Sequence, residues 1–208
     1  MSRSDVIGVV LAGGLARRMG GDKLFVKVAG VSMIERTIAR ARPQVGELLI
    51  NANRELDRIG AFGVPVITDR VTGYLGPLAG IFSGLEWLRE NRPGASWLAS
   101  FACDCPFYPL DMVERLCAKA EAEKALVAVA ASGGRHHSVF AVWSPVIRGT
   151  SQSVLVGEGH RKMEHFVASL PNTEVEFPIG AVDPFFNVNT PDDLKLAESL
   201  MAGDAANG

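Results

Sequence analysis

The chain is predicted to be an α/β protein of three layers, α/β/α, built on a doubly wound, mostly parallel sheet with one antiparallel strand. Three observations predict this. Short apolar runs alternate with helical patterns along the 208 residues, the signature of a largely parallel sheet covered by helices. Runs such as VIGVVL and WLASFAC are apolar throughout, as buried strands are. Of the neighbouring runs ALVAVAA and SVFAVW, the second reads as the antiparallel strand. The composition, 48% hydrophobic and 21% charged, is that of a globular protein with a sizeable core. With no repeat and no linker, residues 1–208 are expected to form a single domain.

The elements follow in order. VIGVVL (6–11) is a strand. SMIERTIARAR (32–42) is a helix opened by a capping box, Ser32 with Glu35 three residues on. ELLINAN (47–53) and VPVIT (64–68) are strands. Pro77 starts a helix that places Ile81, Leu85 and Leu88 on one face. WLASFAC (97–103) is a strand, followed by a helix from about Pro109 to Glu123. After the pair 125–143, shorter helices are expected near 145–157 and 161–170, and TEVEF (173–177) as a strand. Thr190 caps a last helix with Pro191 in its first turn and Asp193 at the capping-box position. Residues 202–208 (AGDAANG) read as a frayed tail.

A net charge of −2 argues against a polycation that seeks nucleic acid. The charge is nonetheless unevenly spread. Residues 11–42 hold seven Lys and Arg against Asp22 and Glu35, a local +5, which leaves about −7 for the rest. Arg36, Arg40 and Arg42 fit a solvated helix face. Three cysteines (Cys103, Cys105, Cys117) are an odd number without framework spacing, which fits a reducing cytoplasm. The isolated C-x-C is a weak metal signal, because zinc usually takes four ligands. No signal peptide or apolar stretch of membrane-spanning length is evident, so a cytoplasmic protein without membrane or nucleic-acid partners is expected.

In open α/β sheets, ligands bind beyond the C-terminal ends of the strands. The polar residues ending these apolar runs are the Gly-rich loop after 6–11, Asn51 and Asn53, Asp69, and Asp104. The loop VVLAGGLARRMGGDKL is neither a Walker A motif nor a dinucleotide G-x-G-x-x-G. It has the same physical ingredients: glycines that let backbone N–H groups approach anionic oxygens, with Arg18 and Lys23 to supply charge. A solvated basic turn is the plainer alternative. Asp104, at the end of a buried strand, suits a cation ligand or a cap for the following turn. Asp69 fits a binding role or a surface ion pair with Arg70, and Asn51 and Asn53 fit binding or turn chemistry. Asn187 and Asn189 share a face if FFNVNT is a strand, but capping of the next helix competes.

The ordered set LAGG…RRMGGDK, INANR (50–54), TDR (68–70), GPLAGI (76–81), CDCPF (103–107) and FFNVNTPDDL (185–194) resembles the nucleotidyltransferases that use nucleoside triphosphates. It is most similar to the molybdenum cofactor guanylyltransferases, a family with a Rossmann-like, doubly wound fold. The resemblance implies a magnesium-dependent enzyme that transfers GMP from GTP to the terminal phosphate of molybdenum-molybdopterin and releases pyrophosphate. It implies that Leu11, Ala12, Gly13 and Gly14 hold the nucleotide, and that Lys23 and Arg18 face its phosphates. Asn51, Asp69 and Gly80 match nucleoside-binding positions, and Asp104 matches the magnesium ligand. Asn187, Asn189, Arg161, Lys162 and His137 match positions towards the pterin. The partners implied are GTP, the pterin and, further on, molybdoenzymes, their chaperones or the preceding molybdenum-inserting enzyme.

Cys105 stands where the family often has threonine, and Ser138 where it usually has proline. His136 and His137 make an improbable metal pair, since neighbours on a strand point opposite ways. Two other readings compete. A CTP-dependent cytidylyltransferase typically has LAAG at 11–14. A non-catalytic nucleotide-binding or cofactor-delivery module would not need the pair Lys23 and Asp104.

Overall fold

The structure, a computed structural model, describes residues 2–13, 23–70, 76–149 and 163–206, the last four as backbone. Along the chain run β1 (Val6–Leu11), β2 (Lys27–Val28), β3 (Val31–Ser32), α1 (Met33–Ala41), β4 (Glu47–Asn51), α2 (Leu56–Gly60), β5 (Val66–Ile67) and α3 (Pro77–Asn91). Then come β6 (Trp97–Ala102), α4 (Met112–Glu123), β7 (Val127–Ser132), β8 (Arg135–Trp143), α5 (Met163–Ala168), β9 (Asn172–Glu176) and α6 (Pro191–Ala206). The main sheet has seven strands in the order β5-β4-β1-β6-β8-β7-β9. β8 runs antiparallel to both neighbours and every other pairing is parallel. β1 lies between β4 and β6, where the winding reverses, so the crevice opens at the C-terminal ends of β1 and β6.

Alternation along the strands divides the core. Val6 and Val10 of β1, with Phe101 of β6, pack under α1 and α4, while Ile7 and Val9, with Leu98, pack under α3 and α5. Both faces of β1 are therefore covered, which is why its run is apolar throughout. On the α3 face the buried Trp143 indole donates to Ser100 Oγ (2.9 Å), and that hydroxyl donates to the Val139 carbonyl (2.6 Å), so both of these buried groups are paired.

The helix starts are set locally. Ser32 and Glu35 form the reciprocal capping box, with Ser32 N–H donating to the Glu35 carboxylate at 3.0 Å. Thr190 and Asp193 form a second one, at 3.1 and 2.8 Å. Gly76, at φ +62° and ψ −150°, turns the chain into α3 before Pro77, a backbone conformation that only glycine adopts readily.

The structure also departs from the sequence pattern. The two-residue strands β2 and β3 and the short α2 are too brief for periodicity to reveal. Their hairpin turns through Ala29 and Gly30, both at positive φ. Of the helix expected near 145–157, a 3-10 turn at Pro145–Ile147 is present and the remainder lies largely outside the described residues; α5 is the described part of 161–170. The closing helix continues to Ala206 through the segment expected to fray, because alanines carry it past the one breaker, Gly203. Arg36 and Arg40 do more than solvate a helix face. Arg36 Nε donates to the Val28 carbonyl (3.1 Å), and the half-buried Arg40 guanidinium gathers those of Phe107 and Tyr108 (3.2 and 2.8 Å). Among the described residues no helix is long and apolar enough to cross a membrane.

Candidate active site

Two clusters of polar side chains sit at the C-terminal ends of the parallel strands. The first joins the ends of β1, β4 and β5. The Ala12 N–H donates to the Asn51 carbonyl (2.8 Å), which seats the start of the Gly-rich loop beside β4. Asn51 is buried, and its Nδ2 donates to Asp69 Oδ1 at 2.9 Å. Asn53 donates from Nδ2 to Asp69 Oδ2 (2.7 Å) and accepts the Asp69 backbone N–H on its own Oδ1 (2.9 Å). Asp69 is thus held by two asparagines rather than paired with Arg70. Arg70 makes a bidentate bridge to Glu90 at 2.7 and 2.8 Å, which settles the ion-pair alternative against Asp69.

Glycines wall this cluster. A Cβ on Gly80 would collide with Asn51 Oδ1 and stand 2.7 Å from a Leu11 methyl carbon, so only glycine lets α3 pass this close. A Cβ on Gly13 would meet Asn51 Oδ1 at 3.9 Å, an ordinary contact. Leu11, Ala12, Gly13, Asn51, Asp69 and Gly80 therefore come together, whereas Gly14 and Arg18 lie outside the described residues.

The second cluster joins three distant segments. Lys23 Nζ lies 3.0 Å from Asp104 Oδ2 and 2.6 Å from Asn189 Oδ1. The two charged side chains are 17% and 32% exposed, so the pair is partly shielded yet open to a ligand. Cys105 donates its thiol proton to Asn187 Oδ1 (2.8 Å), with the Phe185 carbonyl at 3.3 Å. The Val188 N–H donates to the Asp104 carbonyl at 2.8 Å, and Asn189 N–H to Asp193 Oδ2 at 2.9 Å. Burial, reinforced by the Asp104 charge, pushes the Cys105 thiol well above its ordinary pKa, so it serves as a neutral donor. Residues 185–189 are irregular rather than a strand; Asn189 Oδ1 meets Lys23 and Asn187 Oδ1 meets Cys105, while Thr190 and Asp193, rather than either asparagine side chain, cap the last helix. Beneath them Val28, Met33, Val188 and Ala197 form a small core with Phe107 and Phe186 packed against it.

His137 is 9% exposed, stacked on Phe185 at 4.5 Å, with Nε2 2.7 Å from Ser132 Oγ. Ser132 donates to Asp183 Oδ1 (2.8 Å), which also accepts the Phe185 N–H (2.9 Å). The histidine anchors the segment carrying Asn187 and Asn189. His136, on the opposite face, pairs with Glu174. Burial is the main cause that lowers the His137 pKa, partly opposed by the Asp183 charge. Arg161 and Lys162 lie outside the described residues. The sequence reading missed Ser132 and Asp183, although the turn signal Asp183-Pro184 was available.

The oxygens gathered on Lys23 are the Asp104 carboxylate and the Asn189 amide. That is hard-oxygen chemistry, and it fits magnesium, which typically takes one or two carboxylates and completes its shell with water and substrate phosphates. No group of three His, Cys, Asp or Glu gathers among the described residues.

Residues 8–173 match the family described as MobA-like NTP transferase domain. A molybdenum cofactor guanylyltransferase of Rhodopseudomonas palustris (strain BisB5) is 46% identical over 198 residues, covering 95% of this chain and 94% of that one. One from Nitrobacter hamburgensis is 44% identical over 198 residues, with 95% of each chain covered. Among solved structures, molybdopterin-guanine dinucleotide biosynthesis protein A from Archaeoglobus fulgidus superposes with a TM-score of 0.74 at 24% identity, over 95% of this chain and 99% of that one. This likeness extends the shared fold beyond the range of close sequence similarity. Matched over most of its length, with both clusters at the strand ends where the fold binds ligands, the chain belongs to the MobA-like NTP transferase family.

Proposed function

We propose that this chain transfers GMP from GTP to the terminal phosphate of molybdenum-molybdopterin, forming the guanine dinucleotide cofactor and pyrophosphate. The observation that carries the proposal is the convergence of Lys23, Asp104 and Asn189 just beyond the end of β6, in a chain similar over nearly all its length to guanylyltransferases.

A phosphate oxygen of the pterin attacks the α-phosphorus of GTP. A bond forms there, the bond from that phosphorus to the bridging oxygen breaks, and pyrophosphate leaves with the electron pair. The attacking phosphate is already largely ionised near neutral pH, so no general base is required. Bringing two anions together makes positioning and charge neutralisation the main tasks. Backbone groups of Leu11, Ala12, Gly13 and Gly14 cradle the nucleotide, and Asn51, Asp69 and Gly80 form the nucleoside side. Lys23 moves its charge from Asp104 towards the phosphates as they arrive, with Arg18 on the pyrophosphate. Asp104 would hold magnesium, which supplies charge neutralisation between phosphate oxygens when bound. Asn187 and Asn189 keep amide N–H groups for the acceptor side, with Arg161 and Lys162 further out. The reaction is placed in the cytoplasm, where the finished cofactor would pass to molybdoenzymes or their chaperones.

The test is nucleotide selectivity. Protein, magnesium and molybdopterin are offered GTP, CTP, ATP or UTP, and pyrophosphate release is followed. Strong preference for GTP is expected. Preference for CTP would move the chain to cytidylyl transfer, and GTP binding without release would favour a delivery module.

A further inference from the structure

Cys105 has no part in the proposed reaction, yet it is 1% exposed and touches the side of the site proposed for the acceptor. Its thiol carries one proton. The nearest acceptor is Asn187 Oδ1 at 2.8 Å, ahead of the Phe185 carbonyl at 3.3 Å and Asp104 Oδ1 at 3.8 Å. An asparagine amide has its accepting oxygen on one arm and its two N–H donors on the other. With the oxygen turned onto the thiol, the N–H arm of Asn187 points the other way. Asn187 is half-buried, so that arm is the part a ligand meets. Asn189 is turned in the same sense by a different donor, the Lys23 ammonium, 2.6 Å from its Oδ1. The backbone between the two asparagines is fixed without the thiol. The Val188 N–H donates to the Asp104 carbonyl (2.8 Å), and the Asn189 N–H donates to Asp193 Oδ2 (2.9 Å). What Cys105 adds is the orientation of one amide.

We infer that Cys105 is a positioning residue for acceptor recognition: its thiol proton holds Asn187 Oδ1, so that both asparagines present N–H donors to the terminal phosphate of the pterin. The inference rests on the guanylyl reading and deepens it. The terminal torsion of an asparagine is broad and roughly two-fold. An amide that nothing holds therefore has two orientations, and one of them puts an oxygen towards the incoming anion. That oxygen would repel the phosphate and leave it short of a donor. Fixing the amide beforehand removes the cost of ordering it on binding. A thiol does this as a neutral donor, adding no charge of either sign beside Asp104. The nucleotide meets other residues in the proposed arrangement, so the effect is confined to the acceptor.

The experiment follows pyrophosphate release and measures KM for molybdopterin at saturating GTP, and KM for GTP, in two matched pairs. Cys105→Ser is set against Cys105→Ala, and Cys105→Thr against the near-isosteric Cys105→Val. Alanine leaves a gap and valine adds bulk, so only loss of the donor is common to both. Both should raise KM for molybdopterin about two- to tenfold, the scale of one neutral hydrogen bond, and leave KM for GTP unchanged. Serine and threonine should restore most of the loss. In an Asn187→Ala background the same substitutions should have no further effect on the acceptor, because Cys105 acts only through that amide. A thiol that merely fills space would give equal values within each pair, and that result overturns the inference. So does a rise in KM for GTP as large as that for molybdopterin, or an effect that persists in full without Asn187. GTP-dependent release by wild type keeps the guanylyl reading standing in each of these cases, whereas its absence removes that reading and this inference with it.

Discussion

The two halves of the site are built differently. The half proposed to take the nucleoside is a short-range lattice of neutral amides around one carboxylate, with Asn51, Asn53 and Asp69 all on adjacent parallel strands or just beyond them. The half proposed to take the phosphates is an ion pair between segments 81 residues apart, closed by an asparagine 166 residues from its lysine. The first is prearranged by the sheet and suits recognition of a fixed shape. The second leaves Lys23 partnered by groups that a phosphate or a metal ion could replace, and so suits charge that arrives and departs during reaction. Affinity and selectivity should therefore reside in the first half and rate in the second.

Asp104→Ala should have the largest effect. Turnover is expected to fall by about 10³-fold or more, since both the proposed metal ligand and the partner of Lys23 are lost. GTP affinity should change by less than about tenfold. Steady-state pyrophosphate release together with binding titration tests both parts, and turnover near wild type would remove Asp104 from the metal site. Lys23→Ala comes next, with a loss in kcat of about 10²–10³-fold, the range for removing one charge-stabilising group. A change confined to KM would assign Lys23 to ground-state binding and break the division between the halves.

Gly80→Ala tests the other side. The new methyl displaces Asn51, and overpacking of this kind costs about 1–3 kcal/mol, so GTP affinity should drop by roughly tenfold or more while the rate at saturating GTP falls far less. If the rate falls and affinity holds, the halves are not separable as described. The smallest effect is on stability. The buried His137 has its pKa lowered from 6.5, chiefly by burial. Between that lowered value and 6.5 the unfolded chain binds more protons than the folded one, so stability declines as pH falls through that window. His137→Gln should flatten the decline in thermal melts between about pH 7 and 5, with little effect on GTP affinity. An unchanged slope would mean that another group carries the acid sensitivity.

Most of the fold was legible from local chemistry. Ser32 with Glu35, Thr190 with Asp193, and Pro77 after Gly76 mark helix starts through contacts within about one turn, and the apolar runs at 6–11 and 97–102 announced strands covered on both faces. The hairpin at 27–32 was not legible, because two residues on each side carry no periodicity and its stability comes from the small core around Val28 and Ala197. In the site, Asn51, Asp69 and Asp104 were visible as polar groups that end apolar runs, and Lys23 as a charge of the Gly-rich loop.

Their arrangement was not. Nothing local to Asp69 indicates that Asn53 holds it in preference to Arg70. Nor does anything around His137 say that it turns inward onto Ser132 to anchor the chain at Asp183. Cys105 carries no signal of its own for its bond to Asn187, 82 residues away. By itself the sequence determined which residues are polar where strands end, because capping, periodicity and backbone preference act over a few neighbours. Which of those residues meet was decided by the tertiary structure, because strand order and the packing of α6 bring together groups with no local reason to associate.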